Sequence, residues 1–492
     1  MPTIPLGGHF YKSDSLPIAA MECVNLYAFI PEVQTTTRKA LKPPAGITSG
    51  TTAGSSVTNR GAHTFKEAPY FVQGSGLYRV DQSIDGFGVI TYSSTLVSGA
   101  TSITGTGRVM MADNGDDGDQ MVIIDPSSSA QFNAWIYNGS TLTAISDGDF
   151  DGPVSSVRFV DGYFLFTKKD DQKYFISNLR DGTAYTSTDF ANAEASPDPL
   201  VSSYILNNEP ILFGSETMQT VQNVGGSGFP FVSVQGAIYR IGLSSRFALA
   251  EINDNLLFLG GPVTATPSIW ITAGGRPEKL STIPIDNEIA SYSQSTIESC
   301  YTWTYSQAGA QFVAFVFPSQ KCFVFDFASG EWHTRVSLND SQEEVTCRIS
   351  SVVSAYGVLL VGDNINTNIG VLDLDAYDEY GEEELPRRFV TPHIDAEGMP
   401  FFVDAVELVC ETGVGLPSGQ GSDPLVSMQW STDGGRTFSD NTERETGVGE
   451  VGAYGTRVIW NALGRMPRQV CFKFSMSDPV KWAISKVEAH FD

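Results

Sequence analysis

Residues 311–332 read QFVAFVFPSQKCFVFDFASGEW. An apolar strand from Gln311 to Phe317 meets a polar turn, and a second apolar strand follows from Lys321 to Phe325. Asp326, Gly330 and Glu331 then lead into Trp332, giving a hairpin that ends in Trp. The same unit returns elsewhere, at 69–80, 120–137, 162–176, 210–221, 255–271 and 357–372. With Phe71, Val122, Phe164, Leu212, Phe258, Ala314 and Leu360 as markers, the copies recur every 42 to 56 residues, near the roughly 40 to 50 of a four-stranded blade. Seven hairpins predict a six- or seven-bladed β-propeller. One blade is a small twisted sheet that cannot cover both of its faces; closing a ring of them buries those faces and leaves few exposed edges. A string of β-sandwiches shares the short strands and the turn spacing, and is the rival architecture.

Composition agrees with an all-β chain. Of 492 residues, 48 are glycine and 11% are aromatic, with 41% hydrophobic overall. The net charge of −26 argues against a surface that grips nucleic acid, because phosphate binding needs clustered Lys and Arg. It also disfavours anionic membranes, yet it allows duplex DNA to slide through an acidic pore. The six cysteines, Cys23, Cys300, Cys322, Cys347, Cys410 and Cys471, lie far apart without a C-x-x-C pair and are expected to be buried free thiols. The N-terminal MPTIPLGGHFYKSD lacks the regions of a signal peptide, and no apolar run is long enough to span a bilayer.

Four segments are expected: an extended, irregular stretch at 1–60 with a strand candidate at Cys23–Ile30 and a Ser/Thr/Gly-rich loop at Thr48–Thr58, the propeller at 61–378, an acidic linker at 379–388, and a C-terminal β-sandwich at 389–492. The linker is suggested by YDEYGEEELPRR at 377–388, which is charged and lacks apolar periodicity.

Few residues promise chemistry. The densest carboxylate run, Asp113 to Asp119, puts Gly115 where a calcium loop needs a ligand and Ile124 where its closing Glu belongs, so a solvated loop is expected. Five histidines show no zinc spacing, and there is no G-x-S-x-G elbow or phosphate loop. No catalytic residue, metal or other cofactor is expected.

The last hundred residues hold the most specific pattern. Ser431, Asp433, Gly435, Thr437 and Phe438 fit an Asp box, a hairpin whose Asp and Thr bond their own turn; the strand is expected to resume at Thr437 and Phe438. Sialidases and related propellers carry such boxes, often one per blade, so a sialidase-like glycosidase or a carbohydrate-binding module is the alternative function. A single box outside the inferred propeller weighs against it. Further on, VIW-x-x-LGR-x-x-R at 458–468 places Trp460 in the C-terminal core. It also supplies Arg465 and Arg468, which with Arg457 are candidates for subunit contacts through bidentate carboxylate pairing.

This C-terminal region resembles the tail hub, or nozzle, of short-tailed bacteriophages, also called the packaged-DNA stabilisation or head-completion protein. Further points of likeness are Val24-Asn25, Ala45-Gly46-Ile47, Val234-Gln235-Gly236, Arg246-Phe247-Ala248-Leu249 and Phe389 to Pro392. The resemblance implies a non-enzymatic virion protein, assembled in the host cytoplasm. As a homohexamer it would form a ring beneath portal and adaptor, continue the DNA channel, retain the packaged genome, and receive the tail needle or plug and the tailspikes or fibres.

Overall fold

The computed structural model describes residues 3–491 apart from 34–36, 56–57, 98–101, 116–117, 194–195, 227, 274, 340 and 439–442. Among the described residues, seven antiparallel sheets follow one another around a ring. The first blade runs Asn59–Phe65, Ala68–Gln73, Gly76–Ile84 and Ile90–Leu96; the sixth runs Tyr301–Gln307, Ala310–Val316, Cys322–Asp326 and Glu331–Leu338. All seven sequence markers fall on the second strand of a blade, where both faces are covered by neighbouring blades. That placement explains their apolar character: Phe71, Val122, Phe164, Leu212, Phe258, Ala314 and Leu360 are all fully buried. Sealing each such side chain between blades contributes about 1.5–3 kcal/mol for the larger ones.

The ring has seven blades, and the seventh is composite. Its inner three strands, Ile349–Ala355, Val358–Asp363 and Asn368–Asp373, come from the end of the propeller sequence. Its outer strand is Gly46–Thr52, paired antiparallel with Asn368–Asp373. The ring is thus closed by a strand from the segment expected to be irregular. Gly46 lets the backbone at Ala376 and Asp378 pass close along the other side of that strand, since a Cβ there would lie 2.4 Å from the Asp378 carbonyl oxygen.

Side chains fill the centre of the ring. Phe247 packs against both the core between blades six and seven and the core of blades two and three, which lie across the ring from each other. Its carbonyl accepts the Thr302 N–H at 3.0 Å. The Arg108 guanidinium lies 3.8 Å from the Tyr301 ring centroid and donates to the Ser350 carbonyl at 2.5 Å. Arg246 donates to the Pro126 carbonyl at 2.9 Å.

The C-terminal unit is a sandwich of two sheets. One carries Val458–Met466, Phe401–Cys410 and Ile484–Phe491, followed by Ala40–Lys42 and Tyr27–Phe29; the other carries Arg387–Val390, Gln469–Met476, Leu425–Ser431 and Arg444–Gly447. Val426, Met428, Trp460, Phe472, Phe474 and Trp482 form its core with Ile4, Leu6 and Leu41. The N-terminal stretch therefore supplies strands and core residues to the sandwich. Its strand Cys23–Val24 sits between Arg387–Val390 and the last strand of blade six, so one continuous sheet runs from propeller to sandwich. The strand expected at Cys23–Ile30 is present as two pieces, Cys23–Val24 and Tyr27–Phe29, on different sheets; pieces of two or three residues complete no apolar alternation that could name their distant partners.

The stretch read as an acidic linker is an internal junction. Asp378–Glu379 pairs in parallel with Gly46–Thr52 through Glu379 and Ile47, and Glu379, Leu385 and Arg387 are fully buried. Glu383 pairs with Arg348, and Glu384 accepts a hydrogen bond from Gln420 at 2.5 Å. Five cysteines are buried and Cys410 is half-buried, and all six are free.

Candidate assembly surfaces

Two groupings of polar residues stand out, one inside the propeller junction and one on the sandwich. The first was hidden in sequence because its members are scattered from 335 to 383. Arg348 Nε donates to Asp363 Oδ2 at 2.7 Å with both side chains fully buried. Glu379 lies 3.8 Å from Arg348 Nη1 and 3.8 Å from Arg335 Nη2, and accepts from Ser337 Oγ at 3.1 Å. Arg335 also donates to the Ala45 carbonyl at 2.9 Å. Two arginines here face three carboxylates, Asp363, Glu379 and Glu383. Burial pushes the Glu379 carboxyl up to about 7, against the pull of Arg335, Arg348 and the Ser337 hydroxyl. The only signal in the sequence was an Arg/Glu-rich stretch, which reads equally well as solvated.

On the sandwich, the Asp box is built as a loop cage. Ser431 Oγ donates to Asp433 Oδ1 at 2.6 Å, and the Gly435 N–H donates to Ser431 Oγ at 3.0 Å. Asp433 further accepts from Arg436 N at 2.9 Å, Thr437 N at 3.1 Å and Thr437 Oγ1 at 2.6 Å. Burial would raise its pKa; these hydrogen bonds outweigh it and hold the carboxyl well below the usual carboxylate range. Gly435 has φ +80°, and a Cβ there would lie 2.4 Å from the Ala20 Cβ, so the cage is pressed against the N-terminal segment. With all its oxygen contacts directed inward, Asp433 is committed to the loop. The expected strand at Thr437 and Phe438 does not form; pairing resumes at Arg444–Gly447, because the Asp433 cage turns the backbone out of the ladder. Phe438 lies half-buried beneath Lys473, whose Nζ is 5.2 Å from its ring centroid. Trp460 lies in the sandwich core, donates from Nε1 to the Arg444 carbonyl at 2.9 Å, and packs on Phe474 at 5.6 Å.

The three candidate contact arginines differ. Arg457 is engaged within its own chain, donating to both oxygens of Glu407 at 2.9 and 2.5 Å. Arg465 and Arg468 are exposed at the turn joining Val458–Met466 to Gln469–Met476, and neither forms an ion pair among the described residues. Arg465 stands opposite Phe402, itself an exposed aromatic, in the strand register.

In the carboxylate run, Asp113 contacts His63 Nε2 at 2.5 Å and Asp119 pairs with Lys66, while Asp116 and Asp117 lie outside the described residues. No group of three or more His, Cys, Asp or Glu side chains is placed to hold a metal ion among the described residues.

The family described as "Bacteriophage P22 Gp10, beta-propeller" matches residues 3–377, and that described as "Bacteriophage P22 Gp10, beta-sandwich" matches residues 386–492. This chain belongs to the P22 Gp10 family. The two Gp10 matches meet at the buried junction around Glu379. A relative of known name, "Tail hub protein gp10" of Salmonella phage P22, is 22% identical over 428 residues, covering 84% of this chain and 82% of that one. Among solved structures, PorZ of Porphyromonas gingivalis aligns over 68% of this chain and 38% of its own, at 10% identity and a TM-score of 0.37. A chain of the mitotic checkpoint complex aligns over 70% of this chain and 98% of its own, at 9% identity and a TM-score of 0.38. Both scores are too low to carry a conclusion.

Proposed function

We propose that this Gp10-family chain is a structural, non-enzymatic tail hub of a short-tailed phage. Six copies form a ring that continues the DNA channel below portal and adaptor. The ring retains packaged DNA and docks the tail needle or plug and the tailspikes or fibres. The observation that carries this reading is the match of both domains to a family whose named relative is a tail hub.

The physical features are consistent with it. The propeller axis is filled by Phe247, Arg108 and Arg246, so a duplex must pass through the ring of subunits, not through any one propeller. Six copies carry a formal charge of 6 × −26 = −156, which favours an acidic lumen along which DNA slides without sequence preference. Arg465 and Arg468 are the free cations of the sandwich best placed to meet acidic loops of a neighbour; Arg457 is the weaker candidate because Glu407 already holds it. No described helix is long and apolar enough to cross a membrane, and the reading assigns this chain no membrane insertion.

The test is a reconstruction of the virion that carries this chain. A six-copy ring around the DNA axis is expected, and a tail without one would sink the hub reading. Turnover of a glycoside, abolished by one carboxylate substitution, would instead favour the glycosidase alternative.

A further inference from the structure

We propose that the tip of the first blade's outer hairpin plugs into an apolar, cation-rimmed pocket on the sandwich of a neighbouring copy. This rests on the ring reading above and names a contact within it.

The hairpin outruns its own blade. Only Gly76 to Arg79 pair with Ala68–Gln73, whereas pairing with Ile90–Leu96 continues out to Ile84 and Ile90. The tip is a built turn: Asp85 Oδ1 accepts the N–H of Phe87 at 2.8 Å and of Val89 at 2.8 Å, and Gly88 takes φ +84°. That turn holds four apolar side chains in water. Phe87 is 95% exposed, and Ile84, Val89 and Ile90 are each at least half exposed. A contiguous apolar knob of this kind marks an interaction site. From Gln82 to Gly107 the only charged residue is Asp85, in a chain with 56 acidic and 30 basic side chains.

The pocket has the complementary chemistry. It encloses about 400 Å³ between the N-terminal segment and Ile484–Phe491, within the range of small binding clefts. Ile4, Leu6 and Pro392 give it an apolar lining, its rim carries Arg38, Lys39 and Lys486, and no carboxylate lines it among the described residues. Lys39 and Lys486 are already paired with Glu331 and Glu488, whereas Arg38 is exposed and has no ion pair among the described residues. Phe87 would enter the apolar floor while Asp85 meets Arg38.

The occupant is a second copy because of charge. Two surfaces of a chain at −26 repel each other almost everywhere, and a nearly uncharged knob with one carboxylate facing a cationic rim is a pairing that escapes this. Knob and pocket lie on different domains, so the contact is head-to-tail, the kind that builds rings when its rotation closes.

The experiment introduces Phe87→Cys with Pro392→Cys, a half-buried residue of the apolar floor, in the full-length chain and oxidises assembled tails with diamide. Cross-linked multiples of the chain are expected with the pair and not with either single variant. In parallel, Arg38→Glu is expected to lower incorporation into tails about tenfold, the change a single well-desolvated contact makes. Asp85→Asn in the same chain, which keeps the turn's acceptor and swaps out the charge, is expected to restore it. Melting curves of each purified variant establish that it is folded. Tails that contain a ring of copies but yield no cross-link, or an Asp85→Asn change that fails to restore incorporation, would overturn the contact while leaving the hub reading intact. So would Phe87→Ser tails whose rings form normally but lack another tail protein, since the knob would then serve that partner. Virions with no multi-copy ring would overturn both.

Discussion

Asn25 and Val336 are tied by two hydrogen bonds running in opposite directions. Asn25 Nδ2 donates to the Val336 carbonyl at 3.0 Å, and the Val336 N–H donates to Asn25 Oδ1 at 3.1 Å. The same Nδ2 donates to the Pro386 carbonyl at 2.8 Å, so one fully buried amide fastens blade six, the N-terminal segment and the entry to the sandwich. Asn25 adopts φ +49°, a conformation Asn tolerates better than most residues. Asn25→Ala would leave two carbonyls and an N–H buried without partners, at a cost of about 2–4 kcal/mol. The urea midpoint is expected to fall by that free energy divided by an unchanged slope; a variant as stable as the natural chain would show that the amide is not the fastening.

Glu379 sets a pH dependence with a definite sign. Its folded pKa of about 7 lies above the ordinary 4.5, because burial strips the ionised carboxylate of water, a cost that Arg335, Arg348 and the Ser337 hydroxyl offset only in part. A carboxyl raised on folding binds its proton more tightly in the native state. Its stabilising contribution is therefore full below about pH 4.5 and is lost as pH rises to about 7. Thermal unfolding across this window should show a component on the order of a few kcal/mol that Glu379→Gln removes. An unchanged slope in that variant would exclude Glu379 as its source.

The Asp433 cage should be stiff and sensitive to one methyl group. Gly435→Ala forces a Cβ against Ala20 and strains a φ of +80°. A loss of roughly 1–3 kcal/mol is expected. Hydrogen exchange at residues 17–21 should speed up together with exchange at 431–437. Unaltered protection at 17–21 would mean that the loop and the N-terminal segment are independent.

Arg465→Glu tests the proposed subunit contact. The side chain is exposed and unpaired among the described residues, so the purified variant should melt within about 0.5 kcal/mol of the natural chain. Incorporation into tails, measured by complementation of a hub-deficient phage, should drop. Normal incorporation of the folded variant would remove Arg465 from the interface.

Much of the ring was legible because its signal is local. A second strand such as Ala310–Val316 is covered on both faces, so its run is apolar apart from the half-buried Gln311 and the repeat is visible without long-range information. What stayed hidden depends on partners distant in sequence. Gly46–Thr52 reads as a Ser/Thr/Gly loop because an outer strand is only half covered, and its partner Asn368–Asp373 lies at the far end of the propeller. Glu379 reads as solvated because a buried charge differs from an exposed one only in its neighbours, here Arg335 and Arg348. Of the three arginines singled out, the sequence could not separate Arg457, which Glu407 holds, from Arg465 and Arg468.

The outer strand of the seventh blade also determines when the molecule can become a molecule. Translation delivers Gly46–Thr52 before any blade exists, and its partner Asn368–Asp373 only after six have been made. At about 5–20 residues per second, that edge waits for on the order of tens of seconds. Cys23–Val24 waits longer still for its second neighbour, Arg387–Val390, and Ala40–Lys42, which carries Tyr27–Phe29, waits for Ile484–Phe491. A chain cut short by the ribosome or by a protease would carry an unlatched ring and orphaned edges, the material of aggregates, not of tails. Closure of the propeller and completion of the sandwich are thus both late events, and a copy able to present both surfaces to a neighbour is a copy in which both have taken place.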